Sequence, residues 1–262
     1  MKTIDINCDM GESFGNYRLG RDEDIIHHIT SANIACAWHA GDPGTMDRTV
    51  ALALKNNVAA GAHPGYPDLM GFGRRRLDCT PQEIRQYVAY QVGALQAFCK
   101  AHNTRLRHVK PHGALYHRAV ADEAAARAIA KAVMDVDPGL CYVALAGEKG
   151  RTMARVGREM GLAVKYEAFP DRAYTPGGVL LSRQSPGAVI KEPAEVAERA
   201  LEMVLEGRVK TVDGSSTALK VDTLCVHGDT PGAVELAKAI NIAMQAAGVS
   251  LMAMGTRHTP ES

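Results

Sequence analysis

The chain has 262 residues, of which 46% are hydrophobic and 23% are charged, as is usual for a soluble globular protein. Its 30 basic and 29 acidic residues leave a formal net charge of +1, and only 5% are aromatic, so neither a basic surface nor base-stacking platforms for nucleic acid are expected. No apolar run approaches the roughly 18 residues that a membrane-spanning helix needs. Asp5 and Asp9 stand where a signal peptide would have its apolar core, so we expect a cytoplasmic protein.

The six cysteines are spaced singly and form no CxxC pair. In a reducing compartment this spacing predicts thiols, mostly buried, rather than a disulfide framework. They are Cys8, Cys36, Cys79, Cys99, Cys141 and Cys225.

Short apolar runs alternate with helical patterns along the chain. The runs predict strands at 3–8, 32–38, 58–62, 107–111, 140–145, 163–168 and 222–226. Helical spacing of apolar residues predicts helices at 44–56, 81–101, 120–134, 149–160, 193–206 and 231–247. Thr80 and Thr230 are the expected N-caps of two of them, because each precedes a proline at the first helical position.

Alternation of strands and helices predicts parallel strands joined by crossovers. Seven units of roughly 37 residues each favour a single (β/α) barrel domain, residues 1–262, over a doubly wound open sheet. Segment 208–221 contains an Asp-Gly turn and predicts a β-hairpin insertion. Segment 64–79 is a long glycine-rich loop that could fold over a site.

Polar residues collect at the carboxyl ends of these strands, which is where α/β barrels carry their active sites. In the first strand Asp5, Asn7 and Asp9 share one face, and period-2 alternation points them into the barrel. Lys110 and His112 share a face of the fourth strand. Buried ionisable groups are costly unless they are paired or solvated. We therefore expect a polar active-site cavity, with a structural ion-pair network as the alternative.

Four histidines occupy equivalent places in the repeat. His39, His63, His112 and His227 each stand at a strand end and are followed within two residues by glycine, which favours a functional set. Two of the segments continue alike, in HAGDPG and HGDTPG, which places Asp42 and Asp229 just ahead of helices. Either aspartate could serve only as an N-cap or turn residue.

A carboxylate and two imidazoles on neighbouring strands suit a divalent metal such as zinc, and Asp9, His39 and His63 are the candidates. Without a metal, the same residues could act as acid, base and oxyanion partners beside a fixed charge on Lys110. The chain has no Walker A sequence, no GxGxxG after a strand and no GxSxG elbow. A bound nucleotide would therefore need another kind of phosphate site.

Six collinear motifs resemble the LamB/YcsF family, from Ile4 to about Ala247: DINCDMGES, NIACAWHAGDP, GAHPGYPD with FGRR, VKPHGALYH, FPDRAY and HGDTPGAV. The resemblance implies the A subunit of 5-oxoprolinase, an ATP-dependent enzyme that opens 5-oxo-L-proline to L-glutamate and works with partner subunits B and C. It also implies a barrel of the glycoside hydrolase/deacetylase type, and ATP, with magnesium, as the cofactor.

That reaction needs a cation at the transferred phosphate, a base for water and an acid for the departing nitrogen. We assign Lys110 and Arg172 to anionic groups, and Glu167 or Asp9 to the base. Proton carriers or metal ligands would come from the four histidines, with Asp229 as a further catalytic candidate, and substrate contacts from Asn7, Glu12, Asp42 and Arg172. Two alternatives stay open: a metal-dependent carbohydrate or N-acetyl hydrolase, and a non-catalytic substrate-binding protein of the same complex.

Overall fold

The computed structural model describes residues 2–183, 185–228 and 232–255. Its strands in chain order are Thr3–Met10 (β1), Ser31–Ala35 (β2), Ala59–His63 (β3), His108–Val109 (β4), Cys141–Leu145 (β5), Ala163–Ala168 (β6), Arg208–Lys210 (β7), Ser216–Ala218 (β8), Thr223–Val226 (β9) and Ser250–Leu251 (β10). β1 to β6 pair in parallel in chain order, β6 pairs with β9, and β9 pairs with β1. This closed seven-stranded barrel confirms the predicted fold class and excludes the open sheet.

Helices surround the barrel. They are Asp22–Ile25 (α1), Pro43–Lys55 (α2), Pro81–Ala101 (α3), Gly113–Ala121 (α4), Glu123–Val136 (α5), Arg151–Glu159 (α6), Pro193–Leu201 (α7) and Ala233–Ala246 (α8). The predicted start of α3 is confirmed, since Thr80 Oγ1 accepts a hydrogen bond from Glu83 N and the Glu83 carboxylate accepts one from Thr80 N. The predicted cap of α8, Thr230, lies outside the described residues. No described helix has both the length and the hydropathy to cross a bilayer.

Three of the described strands lie outside the seven-stranded barrel wall. β7 and β8 form an antiparallel pair within the segment 208–221. β10 extends the sheet beside the start of β1 and was not predicted from the sequence. It is only two residues long, too short to show a period-2 pattern.

The prediction of one helix at 120–134 was wrong in its start. Asp122 separates α4 from α5 and caps α5, accepting a hydrogen bond from Ala124 N at 2.9 Å. α4 was missed because it follows directly on the strand-end motif VKPHG, where Gly113 turns the chain with φ +50°. β2 also ends earlier than predicted, at Ala35, since Ala37 takes up a left-handed backbone conformation with φ +71°.

The core lies between the barrel and the helices, whereas much of the barrel interior is polar. The alternate residues Ile4, Ile6 and Cys8 of β1 are buried in the apolar cluster, and Asp5 hydrogen-bonds to Ser31 inside the barrel. This arrangement confirms the predicted inward face of β1. All six cysteines are buried free thiols, which also confirms the prediction for them.

Candidate functional site

A buried hydrogen-bond network fills the lower barrel. The Asp5 carboxylate accepts hydrogen bonds from Thr30 Oγ1 at 2.7 Å, Ser31 Oγ at 2.5 Å and the Thr223 hydroxyl. Asn7 Nδ2 donates to Thr223 Oγ1 at 2.6 Å. Burial raises the pKa of Asp5 and outweighs these donors, and Asp5 is not among the described residues that line the cavity. This layer is therefore a support on which the site rests.

Lys110 stands at the centre of the next layer, between two carboxylates. Its Nζ lies 2.5 Å from Asp9 Oδ1 and 3.3 Å from Glu167 Oε1, and it also donates to Cys225 Sγ at 3.2 Å. Tyr116 Oη donates to Glu167 Oε2 at 3.1 Å. Strands from different parts of the barrel thus bring one cation and two anions together in its interior.

Electrostatics keep Asp9 and Lys110 ionised. Burial works against a charge on Asp9. The neighbouring His63 and Lys110 nevertheless hold the pKa of Asp9 well below its ordinary value. Burial likewise works against the ammonium, but Asp9, Cys225 and Glu167 hold the pKa of Lys110 well above its usual range. Asp9 and Lys110 are therefore charged at neutral pH.

Three histidines and a glutamate meet beside this ion pair, one from each of four consecutive strand ends. They are Glu12 after β1, His39 after β2, His63 at the end of β3 and His112 after β4. Their nearest polar atoms all lie within 4.8 Å of one another, and all four residues are buried. His63 Nε2 lies 3.0 Å from His112 Nδ1 and 3.3 Å from Asp9 Oδ2, which joins the histidines to the ion pair.

The loop at 64–79 holds these rings in place. Phe72, with φ +52°, presents its carbonyl oxygen to His112 Nε2 at 2.8 Å. A Cβ on Gly73 would lie 2.7 Å from His39 Cβ and 2.8 Å from His112 Cδ2, so the close approach requires glycine. The loop thus packs its backbone directly against the cluster, at the place where the sequence suggested a cover.

Burial keeps two of the rings neutral. Desolvation, together with the neighbouring His112 and His63, holds the pKa of His39 well below its ordinary value. Desolvation and His63 do the same for the pKa of His112. These rings therefore offer lone pairs rather than positive charge.

A fourth histidine lies across the cavity. His227 stacks on Phe169 with ring centroids 5.3 Å apart, and its Nδ1 lies 3.3 Å from Asp171 Oδ2. Asp171 is buried and follows β6 in the motif FPDR. A carboxylate that orients an imidazole is the arrangement of a proton-transferring pair.

These groups open into one cavity of about 540 Å³. Asp9, His63, Lys110, His112, Arg172 and His227 line it. Its remaining polar lining includes Arg74, Tyr116, His117, Ser182 and Arg183. Positive charge therefore outweighs negative charge along the walls, which suits a ligand that carries an anionic group.

Several predicted residues have other surroundings. Asp42 caps α2, accepting hydrogen bonds from Thr45 N at 2.8 Å and Gly15 N at 2.7 Å. Asn7, Glu12, His39, Glu167 and Asp42 are not among the described lining residues of the cavity. Arg172 does line it, although its Nε donates to Ala188 O at 3.2 Å. Asp229 lies outside the described residues.

Some residues of the site were not singled out from the sequence. Tyr116 was missed along with α4, and Asp171 because it follows β6 in an irregular turn. Asn33 lies on β2 and donates to Asn7 Oδ1 at 2.7 Å and Asp9 Oδ1 at 2.9 Å. Period-2 alternation would have placed Asn33 inside the barrel, as it did Asp9.

Comparison with known proteins gives a consistent identification. A profile of the LamB/YcsF family matches residues 4–259. The 5-oxoprolinase A subunit of Pyrococcus furiosus is 52% identical over 252 residues, covering 96% of this chain and 98% of its own length. That of Syntrophobacter fumaroxidans is 53% identical over 253 residues, covering 97% and 99%.

Solved structures agree with the fold. The lactam utilization protein from Thermus thermophilus superposes with a TM-score of 0.91 at 49% identity and covers 97% of this chain and 100% of its own. The match to the family profile and the similarity to these relatives each extend over nearly the whole sequence, so the chain belongs to the LamB/YcsF family.

Proposed function

We propose that this chain is the A subunit of an ATP-dependent 5-oxoprolinase, which converts 5-oxo-L-proline to L-glutamate in the cytoplasm together with subunits B and C. The observation that carries the proposal is the charged pair Asp9–Lys110 on the wall of a cavity rich in arginine and histidine. The names of the relatives, which are 5-oxoprolinase A subunits and a lactam utilization protein, support it.

A five-membered lactam is an unactivated amide, so its carbonyl carbon reacts slowly with water. Transfer of the terminal phosphoryl group of ATP to the lactam oxygen, with release of ADP, makes that carbon electrophilic. Water then adds to the carbon, the ring C–N bond breaks and the nitrogen takes up a proton. A second water releases phosphate, which leaves glutamate.

The lining residues match these steps. Asp9 faces the cavity as an ionised carboxylate and is the base that we assign to the attacking water. Glu167 lies behind Lys110 and holds it in place. Lys110 and Arg172 would face the negative charge that develops on oxygen and phosphate, with ATP bound together with magnesium.

Proton delivery to the departing nitrogen is assigned to His227. Its ring lines the cavity, and Asp171 orients its Nδ1. The substrate also has a free carboxylate. Arg74 and Arg183, both on the cavity wall, are the cations that we assign to it.

The test is ATP-dependent glutamate release by the chain reconstituted with subunits B and C. Lys110→Ala, Asp9→Ala and His227→Ala should each lower the rate by about 100-fold or more, since each removes a charge or proton-transfer group. The exposed Lys238→Ala serves as the control. Near-wild-type rates for all three cavity variants would leave only a carrier or binding role, and release without ATP would point to a simple hydrolase.

A further inference from the structure

Hydrogen bonds to two carbonyl oxygens orient the rings of His63 and His112 toward each other. His63 Nδ1 lies 2.7 Å from the carbonyl oxygen of Lys110, and His112 Nε2 lies 2.8 Å from that of Phe72. A carbonyl oxygen can only accept a hydrogen bond, so these two ring nitrogens carry the protons. The remaining nitrogens, His63 Nε2 and His112 Nδ1, face each other at 3.0 Å, so either a proton or a metal ion must lie between them.

Negative charge surrounds this nitrogen pair. Asp9 Oδ2 lies 3.3 Å from His63 Nε2, and Glu12 Oε1 lies 3.9 Å from His112 Nδ1. The ligands of a tetrahedral zinc site, at about 2.1 Å from the metal, stand roughly 3.4 Å from one another. The observed separations of 3.0, 3.3 and 3.9 Å between these side-chain atoms lie on either side of that value.

Ring orientation separates the ligands from a supporting residue. The planes of His63 and His112 are 89° apart, so one ion can lie in both planes. His39 is stacked on His112, with the planes 5° apart and the centroids at 3.7 Å, so an ion in the plane of His112 lies out of the plane of His39. Both His39 ring nitrogens are buried without a hydrogen-bond partner among the described residues, and Glu12 Oε1 lies 3.6 Å from His39 Nε2.

We propose that His63, His112 and Glu12 bind one divalent transition-metal ion, with His39 packed on His112 as a positioning residue. Two imidazoles and a carboxylate favour zinc, cobalt, manganese or iron over magnesium. The predicted trio of Asp9, His39 and His63 is thus revised to a set that shares only His63 with it. This site does not depend on the lactam reaction being correct.

The experiment uses the whole chain after chelator treatment and dialysis, with Co²⁺ or Zn²⁺ as the probe. We expect about one ion per chain, visible d–d absorption for Co²⁺ and a raised Tm. In Glu12→Gln, His63→Ala and His112→Ala the bound metal should fall below about 0.1 per chain under the same conditions. His117→Ala removes another cavity histidine and should bind metal like the wild type.

Circular dichroism of each variant checks the fold, and Glu12→Gln keeps the shape of the side chain if the alanine variants unfold. Metal-free wild type with no shift in Tm after Zn²⁺ addition would overturn the proposal and leave a shared proton between the rings. Metal lost in His227→Ala and Cys225→Ser, but retained in His63→Ala and His112→Ala, would move the ion to the neighbouring Asp9–Cys225–His227 group and also overturn it. Glutamate release is measured separately, so either proposal can fail alone.

Discussion

Lys110 Nζ lies 2.5 Å from Asp9 Oδ1 across the barrel interior, although Lys110 directly follows β4, Asp9 lies on β1, and these two strands are not neighbours in the sheet. Closure of the barrel brings the two together, because in a flat open sheet β2 and β3 would lie between them. The ion pair therefore links the integrity of the barrel to the chemistry of its cavity.

Replacing Lys110 with methionine should damage both stability and activity. The change leaves Asp9 and Glu167 buried without their cation, and breaking a buried ion pair by removing one partner costs about 3–5 kcal/mol. Urea unfolding followed by circular dichroism measures the loss. Asp9→Asn in the same background should restore part of it, and exposed Lys238→Met should change stability by less than about 0.5 kcal/mol. A Lys110→Met protein as stable as the wild type would contradict this account.

Removing the hydroxyl group from two buried tyrosines should affect the stability of the protein in opposite ways. Tyr116→Phe removes the donor to Glu167 Oε2 and should destabilise the fold by about 1–3 kcal/mol. Tyr142 is also buried, but its hydroxyl has no hydrogen-bond partner among the described residues. Tyr142→Phe should therefore be neutral or stabilising in the same unfolding measurement. Equal losses for the two variants would show that the Glu167 contact does not matter.

Gly61 in the barrel wall should not tolerate a side chain, because the ring of His108 packs directly against it. A Cβ on Gly61 would lie 2.0 Å from His108 Nε2, so Gly61→Ala must displace a buried ring and lower the free energy of unfolding by several kcal/mol. The matched control is Gly93 in α3, which has nothing within 4 Å of its Cβ position. Gly93→Ala should raise stability by about 0.5–1 kcal/mol. Thermal unfolding of the pair checks both signs.

The sequence predicted those features that depend on a pattern within a few neighbouring residues. Alternation along β1 placed Asp9 inside the barrel, and the repeated histidine-glycine pairs pointed to the ends of the strands. The sequence alone could not show which oxygen and nitrogen atoms lie close together, because the approach of Glu12 to His112 depends on the closure of the sheet. Asp42 shows the converse: a functional-looking motif, HAGDPG, places its carboxylate at the N-terminus of α2, where local hydrogen bonds occupy it.

We expect His108 to make the folded protein less stable in acid. Asn33 Nδ2 donates to Asn7 and Asp9, so Asn33 Oδ1 is the acceptor for His108 Nε2 at 2.8 Å. Burial, reinforced by the positive charge of Lys110, lowers the pKa of His108 to about 3, against an ordinary value of about 6.5.

The sign of the effect follows from proton uptake. Between about pH 6.5 and pH 3 the unfolded chain is protonated at His108 while the folded protein is not, so acid favours unfolding. The contribution of His108 to the free energy of unfolding is complete above about pH 6.5. About 2 kcal/mol of this contribution is lost by pH 5. His108→Gln can still donate to Asn33 but does not titrate, so its free energy of unfolding should fall less steeply between pH 7 and pH 5. In the same urea titrations, a His108→Gln slope equal to that of the wild type would rule out His108 as the acid-sensitive group.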